Sequence, residues 1–588
     1  MSPSCHVKHV MHVMHVMMLM MGDDCKVIHC LHDTHRSINH QLTRLRSIDI
    51  FNKPNSNQAL TPEIDQSAPR KQGKQSPNWT APVAGLISSL FALSVATLTA
   101  VLLSVVTPLD AVGSEFIDHT PKWLKNLAIQ TFGTNNKAVL KLGMLLTISC
   151  LALWSGLIAR RKLRTGISMI ASFGFFGGII SSARPSQSAL ALIPCLFGGA
   201  FGCRLLAKLT SIITQNDLPI DSPSESRAPL GWDRRRFITT VSMTAFTSAF
   251  LGGVASRLEN RKISEIRQTA PDSLPEISAG SDLPATKIPS GAQIFTETPF
   301  ITSNKDFYRI DTALSLPRVD IKTWSLQIGG LVKTPLKLSY DDLLARPMVE
   351  SAITICCVSN EVGGPYIGNA IWQGVLLADL LNEAGVDPRA EQIFGTSADG
   401  WTCGFPVGAA LDKRDAMIAV GMNGTALPLE HGFPARVIIP GLYGYVSATK
   451  WLTNLDLTTW SQAQGYWIPL GWSRDAPIKT QSRIDVPRRD ETVSAGRIAI
   501  AGVAWAQQIG IEKVEVRINS GNWQEATLAL DFSDDTWRQW KYELDAKPGE
   551  YQVQVRATNK TGETQTQEVS RPDPNGATGY HTRTIKVI

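Results

Sequence analysis

The stretch SAITICCVSNEVGG, residues 351–364, sets two thiols side by side at the end of an apolar run. Adjacent side chains on a strand point to opposite faces, so only one of Cys356 and Cys357 can face a given site. A thiol at a strand end, ahead of a turn with exposed backbone amides, suits a nucleophile or a metal ligand. A small inert core residue is the plain alternative. A cysteine nucleophile needs a matching base, and His431 and His581 are the only histidines after residue 119. No cysteine-protease signature surrounds the pair. The nine cysteines contain no CxxC spacing, which argues against zinc-ribbon, iron–sulfur and haem-attachment motifs.

Other segments must position this stretch. A chain of 588 residues exceeds one ordinary core, so two or three domains are expected. Only 18% of residues are charged against 43% hydrophobic, a mixture that fits a chain part membrane and part soluble. The net charge of +6 is modest and no basic, aromatic-interleaved patch is present, which argues against a nucleic-acid partner.

Residues 81–106 form an apolar run long enough to cross a bilayer, and similar runs follow at about 139–159, 165–183, 187–213 and 237–255. Arg70, Lys71 and Lys74 precede the first run, Arg160, Arg161, Lys162 and Arg164 lie between the second and third, and Arg234, Arg235 and Arg236 precede the fifth. By the positive-inside rule the N-terminus is inside and the C-terminal region outside, although Arg257, Arg261, Lys262 and Arg267 run against it. The DRRRFI stretch reads either as a twin-arginine-like export signal or as plain topological charge. The apolar runs contain no histidine, so they encode no bis-histidine haem.

The expected organisation follows. Residues 1–80, which hold eight of the eleven histidines, read as a disordered cytoplasmic tail, with metal binding by HVMHVMHVMM as a rival reading. Residues 81–255 form a membrane domain of about five spans, and the Pro/Ser/Gly-rich 256–300 is a linker. A mixed α and β pattern occupies 301–483: WSLQIGGLV as a strand, SYDDLLARP as a helix with a Ser cap, WQGVLLADLLNEAGV as an amphipathic helix ending at Gly385. From 484 to 588, period-two alternation predicts a small immunoglobulin-like sandwich, with Val514, Val516 and Ile518 sharing one face and Tyr551, Val553 and Val555 another.

Three further segments share the order of a known family: FYRIDTALSLPRVDIKTWSLQIGG (307–330), CVSNEVGGPYIGNAIWQGVLLADLL (357–381) and EHGFPARVIIPGLYGYVSATKWLTNLDL (430–457). The set resembles the sulfite oxidase family of molybdenum enzymes over about residues 300–588. That family includes eukaryotic nitrate reductases and bacterial periplasmic sulfoxide reductases, and INSGNWQEA resembles a hairpin of its dimerisation domain. The resemblance implies a multi-domain chain: an N-terminal helical membrane domain, an α+β molybdopterin domain, and an immunoglobulin-like β-sandwich.

It also implies a Mo-molybdopterin cofactor, with Cys357, in C-V-S-N, as the thiolate ligand and Cys356 turned into the core. Asn304, Phe307, Tyr308, Arg309, Ser397, His431, Arg436, Ala448, Thr449 and Lys450 fall on the family's cofactor-binding positions. Arg309 also matches a residue that helps hold an anionic substrate, and Tyr466, in QGYW, falls where the family has an active-site tyrosine. The expected activity is two-electron oxygen-atom transfer on a small sulfur compound. A separate electron carrier such as a cytochrome or a membrane redox partner is expected, as is a homodimer, with the catalytic domain outside a multi-pass cell membrane anchor. The alternatives are a sulfoxide reductase of the same family and a non-catalytic membrane-anchored protein retaining the fold. One departure bears on the substrate. Where sulfite oxidases carry a basic N-R-R, this chain has Asn360, Glu361 and Val362, so one expected source of positive potential is missing.

Overall fold

The computed structural model describes residues 76–121, 124, 127, 131–132, 136–184, 187–214, 233–271, 274–275 and 286–588. The His- and Met-rich tail and Arg70, Lys71 and Lys74 lie outside the described residues. The chain divides into two compact units.

Among the described residues, five helices are long and apolar enough to cross a membrane. They are α1 (Thr80–Leu103), α3 (Asn136–Arg161), α4 (Leu163–Ala183), α5 (Leu192–Thr214) and α6 (Arg234–Thr269), with a short helix α2 (Pro108–His119) between the first two. The first unit holds α1, nearly all of α5, the first half of α6, the end of α3 and the start of α4. Small residues set its contacts: a Cβ on Gly85 would strike Ala152 and Gly156, and one on Gly156 would strike Ala81. Backbones that approach this closely tolerate only glycine and gain dispersion contacts along the helix. Leu206, Leu209, Ile213 and Phe237 complete that core.

The second unit contains residues 106–148 and 175–192 together with everything from Gly252 onward. Helix α2 begins with Thr107 as N-cap, Pro108 in the first turn and Asp110 bonded back to the cap, a start signal legible in the sequence. The stretch read as a linker from 256 is helical through Thr269. The reason is packing: Ile263, Ile266, Ala270 and Leu274 lie against the core of the following domain. Two ion pairs also hold it there, Arg318–Glu259 and Arg267–Glu430. Basic residues that ran against the positive-inside pattern are thus partly engaged by acidic partners.

The central domain contains strands β1 (Ser325–Gly330), β2 (Leu336–Ser339), β3 (Val349–Cys356), β4 (Ile367–Leu376), β5 (Gln392–Ser397), β6 (Thr402–Pro406), β7 (Met417–Met422), β8 (Thr425–Ala426), β9 (Arg436–Ile438) and β10 (Leu452–Thr458). One sheet runs β2-β1-β10-β5-β6, with β1 and β10 parallel; the other runs β3-β4-β7-β8, with β9 on β7. Both contribute to a single core that includes Leu326, Ile353, Trp372, Ile393 and Val420. Helix α7 (Tyr340–Leu344) starts at the expected Ser339, whose capping box with Asp342 contributes about 1 kcal/mol. The helix expected across WQGVLLADLLNEAGV begins only at Leu377, as α8 (Leu377–Ala384), and closes at Gly385. Residues Trp372–Leu376 belong instead to β4, which is paired on both sides by β3 and β7; ladder pairing outweighs the local helical period there.

The C-terminal region is a two-sheet sandwich of β11 (Gln481–Val486), β12 (Thr492–Val493), β13 (Gly496–Trp505), β14 (Ile511–Ile518), β15 (Trp523–Glu525), β16 (Thr527–Leu528), β17 (Arg538–Ala546), β18 (Gly549–Asn559) and β19 (His581–Val587). The sheets run β11-β13-β17-β16 and β12-β19-β18-β14-β15. Val514, Val516, Val553 and Val555 are fully buried between them with Ile500 and Trp540, as the alternation predicts. A separate apolar cluster, with Tyr443, Val446, Val503, Trp505 and Trp537, joins the sandwich to the central domain.

Candidate functional site

Strand β3 ends at Cys356, and the chain turns at once, with the Asn360 amide donating to the Cys357 carbonyl. The two thiols part as alternation requires. Cys356 packs with Val358, Ile367, Tyr443 and Val446 in the cluster that faces the sandwich. Cys357 is buried outside either apolar cluster, where the Ser359 amide and hydroxyl bond its sulfur. Burial pushes the Cys357 thiol above its usual range, and those Ser359 bonds, with Lys450, oppose the shift.

Of the predicted residues, Tyr308 and Lys450 stand near this thiol, and a connected layer of the others continues from them. Phe307 stacks on Tyr308 and meets Trp372 and His431 edge-on. His431 Nε2 lies 2.9 Å from the Asn304 carbonyl, while Asn423 donates to the Asn304 side chain at 2.7 Å. Burial holds the His431 imidazole neutral, down to about 4, against the pull of the Asn304 carbonyl. Arg436 donates to the His431 carbonyl at 3.1 Å and lies over the Trp372 ring at 4.9 Å. Burial lowers its guanidinium to about 10. The Tyr308 hydroxyl is pushed well up by burial and by Cys357, with Arg436 opposing. Gly432, at φ +114°, is a left-handed position that brings the backbone against Lys450 and Arg436.

Asp311 is a hub that the sequence did not single out. Its buried carboxylate receives Lys137 at 2.6 Å, Lys450 at 2.7 Å and Arg309 Nε at 2.8 Å. Burial would raise this carboxyl, but Lys450, then Lys137 and Arg309, hold it well below the usual carboxylate range. Burial lowers Lys450 to about 8, with Asp311 opposing. Lys137 stands in the first turn of α3 and also donates to the Ala313 carbonyl at 2.7 Å. No local pattern could have revealed it, because it meets Asp311 across 174 positions.

The remaining predicted residues make contacts of their own. Thr449 Oγ1 is 3.0 Å from the Cys403 thiol, which burial pushes up to about 12. Ala448 follows the single turn Gly444–Ser447. Ser397 is buried at the end of β5 beside Leu452 of β10. Tyr466 makes a different contact: its hydroxyl donates to Asp118 of α2 at 3.0 Å. Asp118 in turn accepts from Arg184 at 2.6 Å. Asp118 and Arg184 are therefore further residues at this edge.

Among the described residues, the buried Nε of Arg436 has no hydrogen-bond partner. A fully buried guanidinium without a carboxylate calls for an anionic or carbonyl-rich ligand. A buried thiol within reach of the Lys450 charge, with Arg436 and Arg309 near that lysine, matches what a metal–pterin phosphate group requires.

Residues 313–467 match the family described as oxidoreductase molybdopterin binding domain, so this part of the chain is an oxidoreductase domain of that class. Mitochondrial sulfite oxidase of Homo sapiens is 29% identical over 325 residues, 46% of this chain and 59% of that protein. The uncharacterized oxidoreductase YuiH of Bacillus subtilis is 33% identical over 187 residues, 32% of this chain and 86% of that protein. The sulfane dehydrogenase SoxCD of Paracoccus pantotrophus superimposes over 53% of this chain and 88% of its own, with 24% identity and a TM-score of 0.45. The chain belongs to the sulfite oxidase family of molybdopterin-dependent oxidoreductases. It spans little more than half the length of human sulfite oxidase.

Proposed function

We propose that the chain is a membrane-anchored molybdenum oxidoreductase acting on a small sulfur compound, with sulfite as the first candidate. The observation that carries this reading is Arg436, buried with an unpartnered Nε and, among the described residues, no acidic partner, with Tyr308 facing both it and Cys357. In this reading Cys357 is the metal ligand, and Arg436, His431, Asn304, Tyr308, Ser397 and the 448–450 segment hold the pterin. When bound, molybdopterin-held molybdenum supplies a two-electron oxygen-atom-transfer centre. The protein's part is to fix that group, to present Arg309 to the substrate, and to keep His431 neutral as a hydrogen-bonding partner. Tyr466 stands at the rim on Asp118. The five apolar helices anchor the domain, and the sandwich, taken as immunoglobulin-like, supplies the homodimer contact. Electrons pass to a separate carrier.

A second reading, sulfoxide reduction, is favoured by Glu361 where the family has a basic residue, since an uncharged substrate would need no extra cation there. Metal analysis of the purified full chain, made in a cofactor-competent host, tests the shared core of both. About one molybdenum per chain is expected, lost in Cys357→Ser and kept in Cys356→Ser. Wild-type protein without molybdenum would sink the enzyme reading in favour of a binding protein. Sulfite with an artificial acceptor, set against methionine sulfoxide with a reduced dye, separates the two directions.

A further inference from the structure

The departure at Glu361 and Val362 removes two cations from the substrate side, yet the hub at Asp311 adds one that the family motifs do not contain. Lys137 comes from the start of α3, outside the molybdopterin domain, and occupies Asp311 Oδ1, while Arg309 Nε and Lys450 share Oδ2. Three cations on one carboxylate leave a local excess of positive charge. Asp311 is buried, but Lys137 and Arg309 keep 34% and 37% of their side chains exposed. The site therefore presents these two cations to solvent and hides the anion that aligns them. Only the Nε edge of Arg309 is engaged, and among the described residues its two Nη groups have no protein partner. A planar guanidinium fixed along one edge presents the other in a defined direction, which suits two oxygens of an oxyanion.

We propose that Lys137 is a positioning residue for an anionic substrate. By filling one oxygen of Asp311 it fixes the carboxylate that orients Arg309, and its charge replaces potential lost at Glu361 and Val362. The segment leading into a membrane helix thereby completes the substrate site and selects a sulfur oxyanion over an uncharged sulfoxide. This rests on the functional reading above and names its substrate class.

The test uses the full chain in detergent and sulfate as a non-reacting probe, with binding measured by calorimetry on both cofactor-loaded and cofactor-free protein. Lys137→Met is expected to weaken sulfate binding about tenfold. It should raise KM for sulfite by a similar factor with kcat and molybdenum content unchanged, and Lys137→Arg should restore both. Sulfate binding unaltered in Lys137→Met, or absent from the wild type, would overturn the proposal. Should Lys137→Met not fold, acylation of Lys137 in the wild type, read by peptide mass spectrometry, decides. Sulfate should slow labelling several-fold beyond chloride of equal ionic strength, and equal labelling would overturn the proposal. Loss of molybdenum chemistry from the wild type would instead strike the functional reading, because sulfate binding and labelling do not require the metal.

Discussion

The Tyr466 hydroxyl donates to Asp118 Oδ1 at 3.0 Å while Arg184 holds the other oxygen of the same carboxylate at 2.6 Å. A residue read from sequence as an active-site phenol is thus tethered to α2, between the first two apolar helices. A hydrogen bond to an ionised acceptor is worth roughly 1.5–3 kcal/mol, so the pair should act as a unit. Tyr466→Phe and Asp118→Asn are each expected to lower kcat/KM about tenfold. The double variant should be no worse than the poorer single one. Additive losses in that double-mutant cycle would mean that the contact does not position the phenol.

Arg436 offers a sharper separation of structural from ligand-binding roles. Burying an unpaired guanidinium costs stability unless a ligand answers it. The cofactor-free Arg436→Met chain should therefore unfold at or above the wild-type temperature, although it loses the bond to the His431 carbonyl. Its molybdenum content should fall at least tenfold (roughly 1.4 kcal/mol or more of cofactor binding). Thermal unfolding of cofactor-free protein, paired with metal analysis, reads both. A marked destabilisation with full metal loading would assign Arg436 to the core instead.

The sign of the acid response follows from three buried groups. Burial depresses His431 and His581 to about 4, against about 6.5 in the unfolded chain. Their contribution is complete above pH 6.5 and is lost as pH falls toward 4. Burial raises Asp535 to about 6, with Gln508 opposing. The folded state takes that proton first, so this contribution rises as pH falls through 6. Between pH 6 and 5 the two histidines outweigh the aspartate, a net loss on the order of 1.4 kcal/mol per pH unit. Asp535→Asn removes the opposing group and should make the loss roughly twice as steep. Unfolding midpoints at pH 6 and 5 for both proteins check it, and equal slopes would refute the assignment.

What was legible in the sequence, and what was not, divides along the range of the interactions. Ser339 and Asp342 announce α7, Gly385 announces the end of α8, and the alternation of Val514, Val516, Val553 and Val555 announces the sandwich, because each signal is local. The split of the thiols at Cys356 and Cys357 is equally local, a consequence of strand alternation. The ligating chemistry around Cys357 came only through resemblance to a family. The helix through Thr269 is not legible locally, because its order depends on the core that Ile263 and Ile266 meet, and the composition of 256–300 does not encode that surface. Trp372–Leu376 carry a helical period but are strand, because β3 on one side and the more distant β7 on the other pair with them. Asp311 stood in view within FYRID, but its partner Lys137 did not, and α2 was missed even though Thr107, Pro108 and Asp110 carry a start signal.

The orientation of the domain is a proposal with its own physical motive. A folded chain that holds a pterin deep beside Arg436 could not be threaded unfolded without losing it, so a twin-arginine route would suit residues 234–236 at the head of α6. Replacing Arg234, Arg235 and Arg236 by lysine keeps the positive charge that plain topology requires. If the arginines form an export signal, the triple variant should leave the catalytic domain on the inner side, protected from protease added to intact spheroplasts. Wild-type protein should be cleaved under the same conditions. Equal cleavage of both would show that these arginines act only as charges, and that the domain reaches the outer side by another route.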